Sequence, residues 1–321
     1  MIRSDLRADT VFRLPCGTLA TAEGGAVAGR FAPSPTSDLH VGNLRTAMVS
    51  WLMARHGGVP HLIRVEDLDA TRVKAAPRVA ARQLDDLAAI GVGSDGPVVW
   101  QSERVALYAA ALDRLPTYEC FCTRREIAEA SSAPHGDGYR PYPGTCRDLT
   151  PALRAARRGG RPPAIRVDAR AAIVTVMDAW AGEVTAEVDD FVVRRNDGAF
   201  AYNLAVVVDD LAQGVTQVVR GDDLLTSSPR QAWLARTLGG REPRYAHVGL
   251  VTNAGHRRLA KRDGAVTLAD LRQRGWNAGR VRAVLGASLG LCAADDDVGM
   301  TDLLARVDPA VRPASWIWPG A

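Results

Sequence analysis

Two prolines two residues apart, in Gly29-Arg30-Phe31-Ala32-Pro33-Ser34-Pro35-Thr36, constrain this chain more than any other stretch. Each ring fixes φ, removes a backbone donor and biases the preceding residue towards extended backbone, so the segment is a rigid turn. A short apolar run, Gly25 to Val27, precedes it, and Leu39-His40-Val41-Gly42-Asn43 follows. Beyond these, Leu44, Ala47, Met48, Trp51, Leu52 and Ala54 recur at helical spacing. The pattern predicts strand, Pro-rich turn, helix. Gly42 at the helix entrance lets a ligand approach the backbone. The unpaired N–H groups and positive dipole end of a helix start suit a phosphate, with His40 beside them as a further donor.

The chain continues in an α/β pattern. His61-Leu62-Ile63-Arg64-Val65 reads as a strand ending in Glu66-Asp67-Leu68-Asp69. Acidic groups at a strand's carboxyl end sit where open α/β sheets bind ligands, although Asp69 also suits a helix cap. Helices are expected over 75–90, with Val79, Leu84, Leu87 and Ile90 inward, and over 104–115. Runs at 163–167, 173–176 and 191–195, with the turn Asn196-Asp197-Gly198, suggest antiparallel strands. The apolar stretch from Phe200 to Asp210 reads as a strand or segment buried on both sides, and Val215 to Val219 as another strand. Helical patterns return at 268–274 and 279–289.

With 321 residues the chain can hold about two domains. No apolar run reaches transmembrane length, and residues 1–26 lack the apolar core of a secretory leader, so a cytoplasmic protein is expected. The net charge of +4 is compatible with a nucleic-acid partner without requiring one. Of 40 basic residues only Lys74 and Lys261 are lysine. A lysine kept in an arginine-rich chain marks a place for a compact ammonium, which Lys261 fits better than Lys74. The five cysteines, an odd count, argue against a disulfide framework. Three of them cluster as Cys120-Phe121-Cys122 and Cys146, a spacing that suits structural zinc. From the residues alone the fourth ligand could be Tyr142 or His135, and buried free thiols are the alternative.

Arg30 to Thr36 together with His40-Val41-Gly42-Asn43 resembles the amino-acid site and HIGH motif of class I glutamyl-tRNA synthetases. His256 to Gly264 resembles their KMSKS loop, with Arg258 for the first lysine, Ala260 for serine and Lys261 for the second lysine. The resemblance spans about 28–290 and implies a Rossmann-like class I aminoacyl-tRNA synthetase catalytic domain with an inserted small α+β zinc-bearing subdomain. The implied organisation is an extension at 1–24, catalytic halves at 25–104 and 201–264, the insert at 105–200 and a stem-contacting helical region at 265–321. It further implies a glutamate site of Arg30, Phe31, Ala32, Pro33, Ser34, Glu66, Tyr202 and Arg220. Catalysis would fall to His40, Asn43 and Lys261, which with Gly42 would hold ATP and its Mg²⁺. Asn43 departs from the second histidine of HIGH.

The pattern C-x-C…Y-x-x-x-C, with no long anticodon-reading stretch, resembles a shortened branch of that family. The resemblance implies zinc on Cys120, Cys122, Tyr142 and Cys146. It implies activation of L-glutamate with ATP and transfer to the queuosine base in the anticodon loop of tRNA(Asp), by a monomer. Arg124, Arg125 and Arg140 are then candidates for RNA phosphate contacts. The alternatives are a short enzyme charging the 3′ end of tRNA(Glu), or a non-catalytic relative that binds glutamate or tRNA.

Overall fold

The computed structural model of the protein describes residues 27–69, 76–123, 125–127, 141–255, 259 and 266–319. The expectations for the 1–24 extension, Lys74, Arg124, His135 and Arg140 lie outside these residues, as does the 256–264 motif with Arg258, Ala260 and Lys261, apart from Leu259.

The chain opens with β1 (Ala28–Phe31), α1 (Val41–His56), β2 (His61–Val65), α2 (Ala76–Ala89) and β3 (Val99–Trp100). A 3-10 turn, Gln101–Arg104, leads into α3 (Val105–Leu112) and β4 (Thr117–Cys120). Next come α4 (Pro151–Arg158), β5 (Ala164–Val167), β6 (Ala172–Asp178), β7 (Gly182–Val188) and β8 (Val192–Arg194). Then follow α5 (Tyr202–Ala212), β9 (Val215–Gly221), a 3-10 turn at Asp222–Ser227, α6 (Ser228–Thr237), β10 (Arg244–Val248) and β11 (Val251–Thr252). The chain closes through α7 (Leu268–Gln273), α8 (Ala278–Ala287), α9 (Met300–Leu304) and β12 (Trp316–Ile317).

Seven strands form the main sheet in the order β3-β2-β1-β9-β10-β6-β7. Every neighbouring pair is parallel except the β6–β7 hairpin at one edge. Chain order reverses at β1, which lies between β2 and β9, and such a switch point opens a crevice at the carboxyl ends of the strands. Strands β4, β5 and β8 make a separate antiparallel sheet. The stretch 105–200, one unit by sequence, is thus distributed: three of its strands stand apart, while β6 and β7 extend the main sheet.

Helix α1 buries residues around its whole circumference, from Val41 and Leu44 to Leu52 and Ala54, because the sheet covers one side and α7, α8 and α9 the other. A second apolar cluster joins α3, α5, α6 and β6. The apolar run read as a strand or doubly buried segment is helix α5, with Leu204 to Val208 all buried. A run that is apolar on every side has no period to betray its type, and its length suits a helix packed on two sides.

Candidate active site

The carboxyl ends of β1, β2 and β9, with the first turn of α1, enclose a cavity of about 550 Å³. Arg30, Phe31, Ala32, Pro33, Ser34, His40, Gly42, Asn43, Glu66, Tyr202 and Arg220 all line it, so every described residue expected at the glutamate and ATP sites meets in one place. A larger groove, about 1120 Å³, lies against α8 near Trp276 and Arg280 and contains none of them. The Pro-rich turn is held by Glu66, whose N–H donates to Pro33 O at 2.9 Å, and by Gln83 of α2. The Gln83 amide donates to Ser34 O at 3.1 Å and to Ser37 O at 2.7 Å.

His40 caps its own helix. Its Nδ1 accepts from Gly42 N–H at 3.0 Å, and Asn43 Oδ1 accepts from His40 N–H at 3.2 Å. Nδ1 as acceptor makes Nε2 the protonated nitrogen. A Cβ on Gly42 would stand 2.9 Å from His40 Cε1, so glycine is what lets the ring fold back over the helix start. The N–H groups expected to greet a phosphate are occupied: Val41 donates to Val266 O, Gly42 to His40 Nδ1, and Asn43 to His40 O. The helix dipole, the imidazole and the Asn43 amide remain as the means of attracting an anion at this turn.

Below the cavity lies a buried charge network. Arg30 holds Asp210 through Nε and Nη2, both at 3.3 Å, while Arg64 reaches the same carboxylate at 2.7 Å and Glu66 at 3.4 Å. Asp209 accepts from Arg104 at 2.5 Å, from Tyr108 Oη at 2.8 Å and from Gln101 at 2.8 Å. Three guanidinium groups thereby face three carboxylates. Burial would raise Asp210, but Arg30 and Arg64 outweigh it and hold the carboxyl below its usual range. Burial wins at Glu66, pushing that carboxyl up against the pull of Arg64 and Arg30.

Arg220 is different. It is 5% exposed, and its hydrogen-bond partners are all neutral: His247 Nε2 at 3.0 Å, Gln231 Oε1 at 2.7 Å, Ser228 Oγ at 2.8 Å and Leu224 O at 3.2 Å. Among the described residues no carboxylate pairs with it directly. The ion pair with Asp222 or Asp223 that its sequence neighbourhood would allow does not form; Asp222 pairs with Arg312 instead. A buried cation with no carboxylate partner among the described residues, lining a cavity, has the electrostatics to attract an anion. Tyr202, at the start of α5, is 41% exposed at the cavity rather than packed in the core.

The model of the tRNA synthetases class I (E and Q) catalytic domain matches residues 26–293. The chain belongs to this family. As a class I aminoacyl-tRNA synthetase it is an ATP-dependent ligase. A curated glutamyl-Q tRNA(Asp) synthetase from Nocardia farcinica is 56% identical, covering 90% of this chain and 92% of that protein. One from Deinococcus radiodurans is 47% identical, covering 87% and 95%. The crystal structure of a glutamate-tRNA synthetase from Elizabethkingia anophelis superposes with a TM-score of 0.75 at 26% identity, covering 91% of this chain and 68% of that one.

A second cluster stands apart in this class I synthetase, on β4 and the loop before α4. The thiols of Cys120, Cys122 and Cys146 lie within 4.8 Å of one another. Cys122 Sγ is 3.5 Å from Cys146 Sγ, and Tyr142 Oη is 3.3 Å from Cys120 Sγ and 3.5 Å from Cys122 Sγ. Tetrahedral zinc with ordinary Zn–S bonds sets sulfurs about 3.8 Å apart, so the donor set and its spacing fit the metal. Arg157 Nη1 sits 3.5 Å from Cys146 Sγ, and Arg166 lies 3.7 Å over the Tyr142 ring.

Sequence reasoning did not single out Arg64, Gln83, Asp178, Asp209, Asp210, Gln231 or His247. Gln83 had a signal, since it falls on the stripe Val79–Gln83–Leu87, where a polar side chain must find partners. Asp209 and Asp210 had one too, as paired acids closing an apolar run. Asp178 and His247 had none, because their meaning lies in a contact between strands far apart in the chain.

Proposed function

We propose that this chain activates L-glutamate with ATP to glutamyl-adenylate without needing tRNA, and transfers the glutamyl group to the queuosine base in the anticodon of tRNA(Asp). The observation that carries the activation step is Arg220, buried, with no carboxylate partner among the described residues, and lining the same cavity as the Glu66 carboxylate. Arg220 would bind the substrate side-chain carboxylate and Glu66 the α-ammonium. Tyr202 and the Arg30–Ser34 turn would shape the seat, with Arg30 kept in place by Asp210. A neutral amide on Arg220 would leave the buried cation poorly compensated, which favours glutamate over glutamine.

In the reaction a substrate α-carboxylate oxygen attacks the α-phosphorus of ATP, and the bond to pyrophosphate breaks in line. The protein's part is positioning and charge stabilisation. His40 Nε2–H and Asn43 would face the phosphates from the start of α1. Lys261, by the family pattern, would balance the departing pyrophosphate. Mg²⁺ would neutralise phosphate charge when bound with ATP. In this reading residues 25–104 and 201–264 are the catalytic halves, 105–200 the insert and 265–321 the stem-contacting region, in a cytoplasmic monomer. Among the described residues no helix is long and apolar enough to cross a membrane. Zinc held by Cys120, Cys122, Cys146 and Tyr142 would brace the insert rather than take part in the chemistry. Elemental analysis should give about one equivalent per chain.

The names of relatives 42–56% identical to this chain support the queuosine acceptor. Radiolabelled glutamate incubated with ATP and tRNA(Asp), with and without queuosine, tests the reading. Label should enter only the modified tRNA and map to its anticodon loop. Equal labelling of both RNAs, or label on the 3′-terminal ribose, would transfer the chain to the tRNA-charging class. Pyrophosphate exchange should proceed with glutamate and no tRNA.

A further inference from the structure

Behind Arg220 runs a line of buried polar groups that no substrate contact explains. Arg220 Nε–H donates to His247 Nε2 at 3.0 Å, so the imidazole proton is on Nδ1, which donates to Asp178 Oδ2 at 2.6 Å. The side chains of His247 and Asp178 are fully buried. The other carboxylate oxygen, Asp178 Oδ1, accepts from Trp180 N–H at 2.9 Å and Ala181 N–H at 2.8 Å in the β6–β7 turn. The hairpin is itself pinned at this point: Asp178 is in register with Tyr245 of β10, and Ala179 N–H donates to Tyr245 O at 2.8 Å. Both Asp178 oxygens and both His247 nitrogens are thus committed, and the line ends on a guanidinium that faces the cavity.

We infer that Asp178 and His247 are positioning residues for Arg220, fixing its guanidinium so that the cavity selects a carboxylate. The inference rests on the reading of Arg220 as the seat of the substrate carboxylate. A carboxylate placed directly on Arg220 would stabilise the buried cation but would also cancel its field and compete with the substrate. Routing the negative charge through a neutral imidazole supports the cation at a distance and leaves its field directed at the cavity. The remaining partners fit the same plan. Gln231 and Ser228 accept from the Nη nitrogens without adding charge, and the Gln231 amide N–H in turn donates to Asn203 Oδ1 at 3.1 Å. Of the five guanidinium hydrogens, one on Nη1 has no partner among the described residues.

The relay has a specific point of failure. In Asp178→Asn the single oxygen stays with the two backbone N–H groups, so the amide NH₂ faces His247 Nδ1. Nδ1 must then accept, Nε2 takes the proton, and a donor meets the Arg220 Nε–H. Arg220 is pushed from its place although no group near the cavity has changed.

Pyrophosphate exchange on the full chain tests this. Asp178→Asn should raise KM for glutamate on the order of tenfold or more, with KM for ATP within about twofold, and should narrow the preference for glutamate over glutamine. His247→Gln, which keeps an oxygen acceptor for Arg220, should retain more glutamate affinity than His247→Leu. A purely structural pair would not separate the two substrates' KM values or rank these variants. Arg220→Ala is the reference. If it leaves KM for glutamate unchanged, the reading of the site fails and the relay with it. If Arg220→Ala raises KM while Asp178→Asn does not, the relay alone is overturned. Should Asp178→Asn not fold, ¹⁵N spectra of wild-type histidines decide: an Nδ1-protonated, Nε2-bare signal from His247 is expected, and the opposite tautomer would overturn the relay.

Discussion

Glu66 is a carboxylate that burial pushes up, and in the proposed reading it faces the positively charged amine of the substrate. The raised value means that Glu66 stays protonated to a higher pH than an exposed glutamate, and only its ionised form attracts the α-ammonium. KM for glutamate should therefore fall as pH rises through the Glu66 titration, measurable by pyrophosphate exchange over a window that starts in the ordinary carboxylate range and runs upward. Glu66→Gln should bind glutamate weakly at every pH. A wild-type KM flat across that window would remove Glu66 from the amine site. Gly42 supports a second prediction at this scale. A Cβ there would stand 2.9 Å from His40 Cε1 and 3.0 Å from its Nδ1, so Gly42→Ala must expel the ring from the helix start. kcat for exchange should drop on the order of tenfold with KM for glutamate little changed, because the proposed reading gives Gly42 to the ATP phosphates and not to glutamate. An equal rise in KM and loss of kcat would mean that the whole turn had collapsed. Of the candidate site, the residues legible in local patterns were the Pro-rich turn, His40 at a helix start and Glu66 at a strand end, while Arg220 and Tyr202 were legible only through the family resemblance. Their partners were not, since Arg30 meets Asp210 180 positions away and His247 meets Asp178 69 positions away.

At the scale of elements, the strand–turn–helix at 28–56 and the strand at 61–65 were readable because period, proline and glycine agree. Helix α5 was not, since an all-round apolar run shows no period, and only its packing between α3 and α6 makes it a helix. Nor did sequence show that β6 and β7 join the main sheet rather than β4, β5 and β8: alternation specifies a half-buried hairpin but not which sheet it joins. Helix packing also exposes a local conflict. Asp86 of α2 is turned inward and only 8% of its side chain is exposed, 3.5 Å from Arg272 of α7. Burial pushes its carboxyl up to about 6, and Asp38 and Asp85 add to the rise while Arg272 and Arg82 oppose it. Arg272 is half exposed and so too well screened to compensate. A carboxyl raised on folding costs nothing below its unfolded value, and the cost grows with pH until the folded value is passed. Asp86→Asn should therefore stabilise the protein near pH 8, by at most about 3 kcal/mol, and should do nothing near pH 4. Thermal melts of the two proteins at both values check this. A loss of stability at pH 8 would show that the Arg272 pair outweighs burial.

Across the whole molecule, the catalytic sheet and the C-terminal helices are joined through α1, and one arginine makes much of that joint. Arg45 is 1% exposed and donates from Nε to Ser288 Oγ at 2.9 Å, from Nη1 to Gly249 O at 2.9 Å, and from Nη2 to Ala314 O at 2.9 Å and Ser288 O at 3.3 Å. It therefore ties the helix that carries His40 and Asn43 to the end of β10, the end of α8 and the segment before β12. Burial pushes its pKa down to about 10, so it remains charged at neutral pH, with carbonyl dipoles rather than a carboxylate around it. The choice of arginine is physical: three separate segments require a planar fork, and an ammonium on a lysine stem offers one point. Arg45→Lys keeps the charge but leaves at least one of the three carbonyls buried without a donor. We expect a loss of roughly 2–4 kcal/mol, seen as a lower urea midpoint at unchanged slope. Because the joint also fixes the first turn of α1, kcat for pyrophosphate exchange should fall with it while KM for glutamate stays nearly constant. A midpoint equal to wild type would show that the C-terminal helices hold to α1 through their apolar contacts alone.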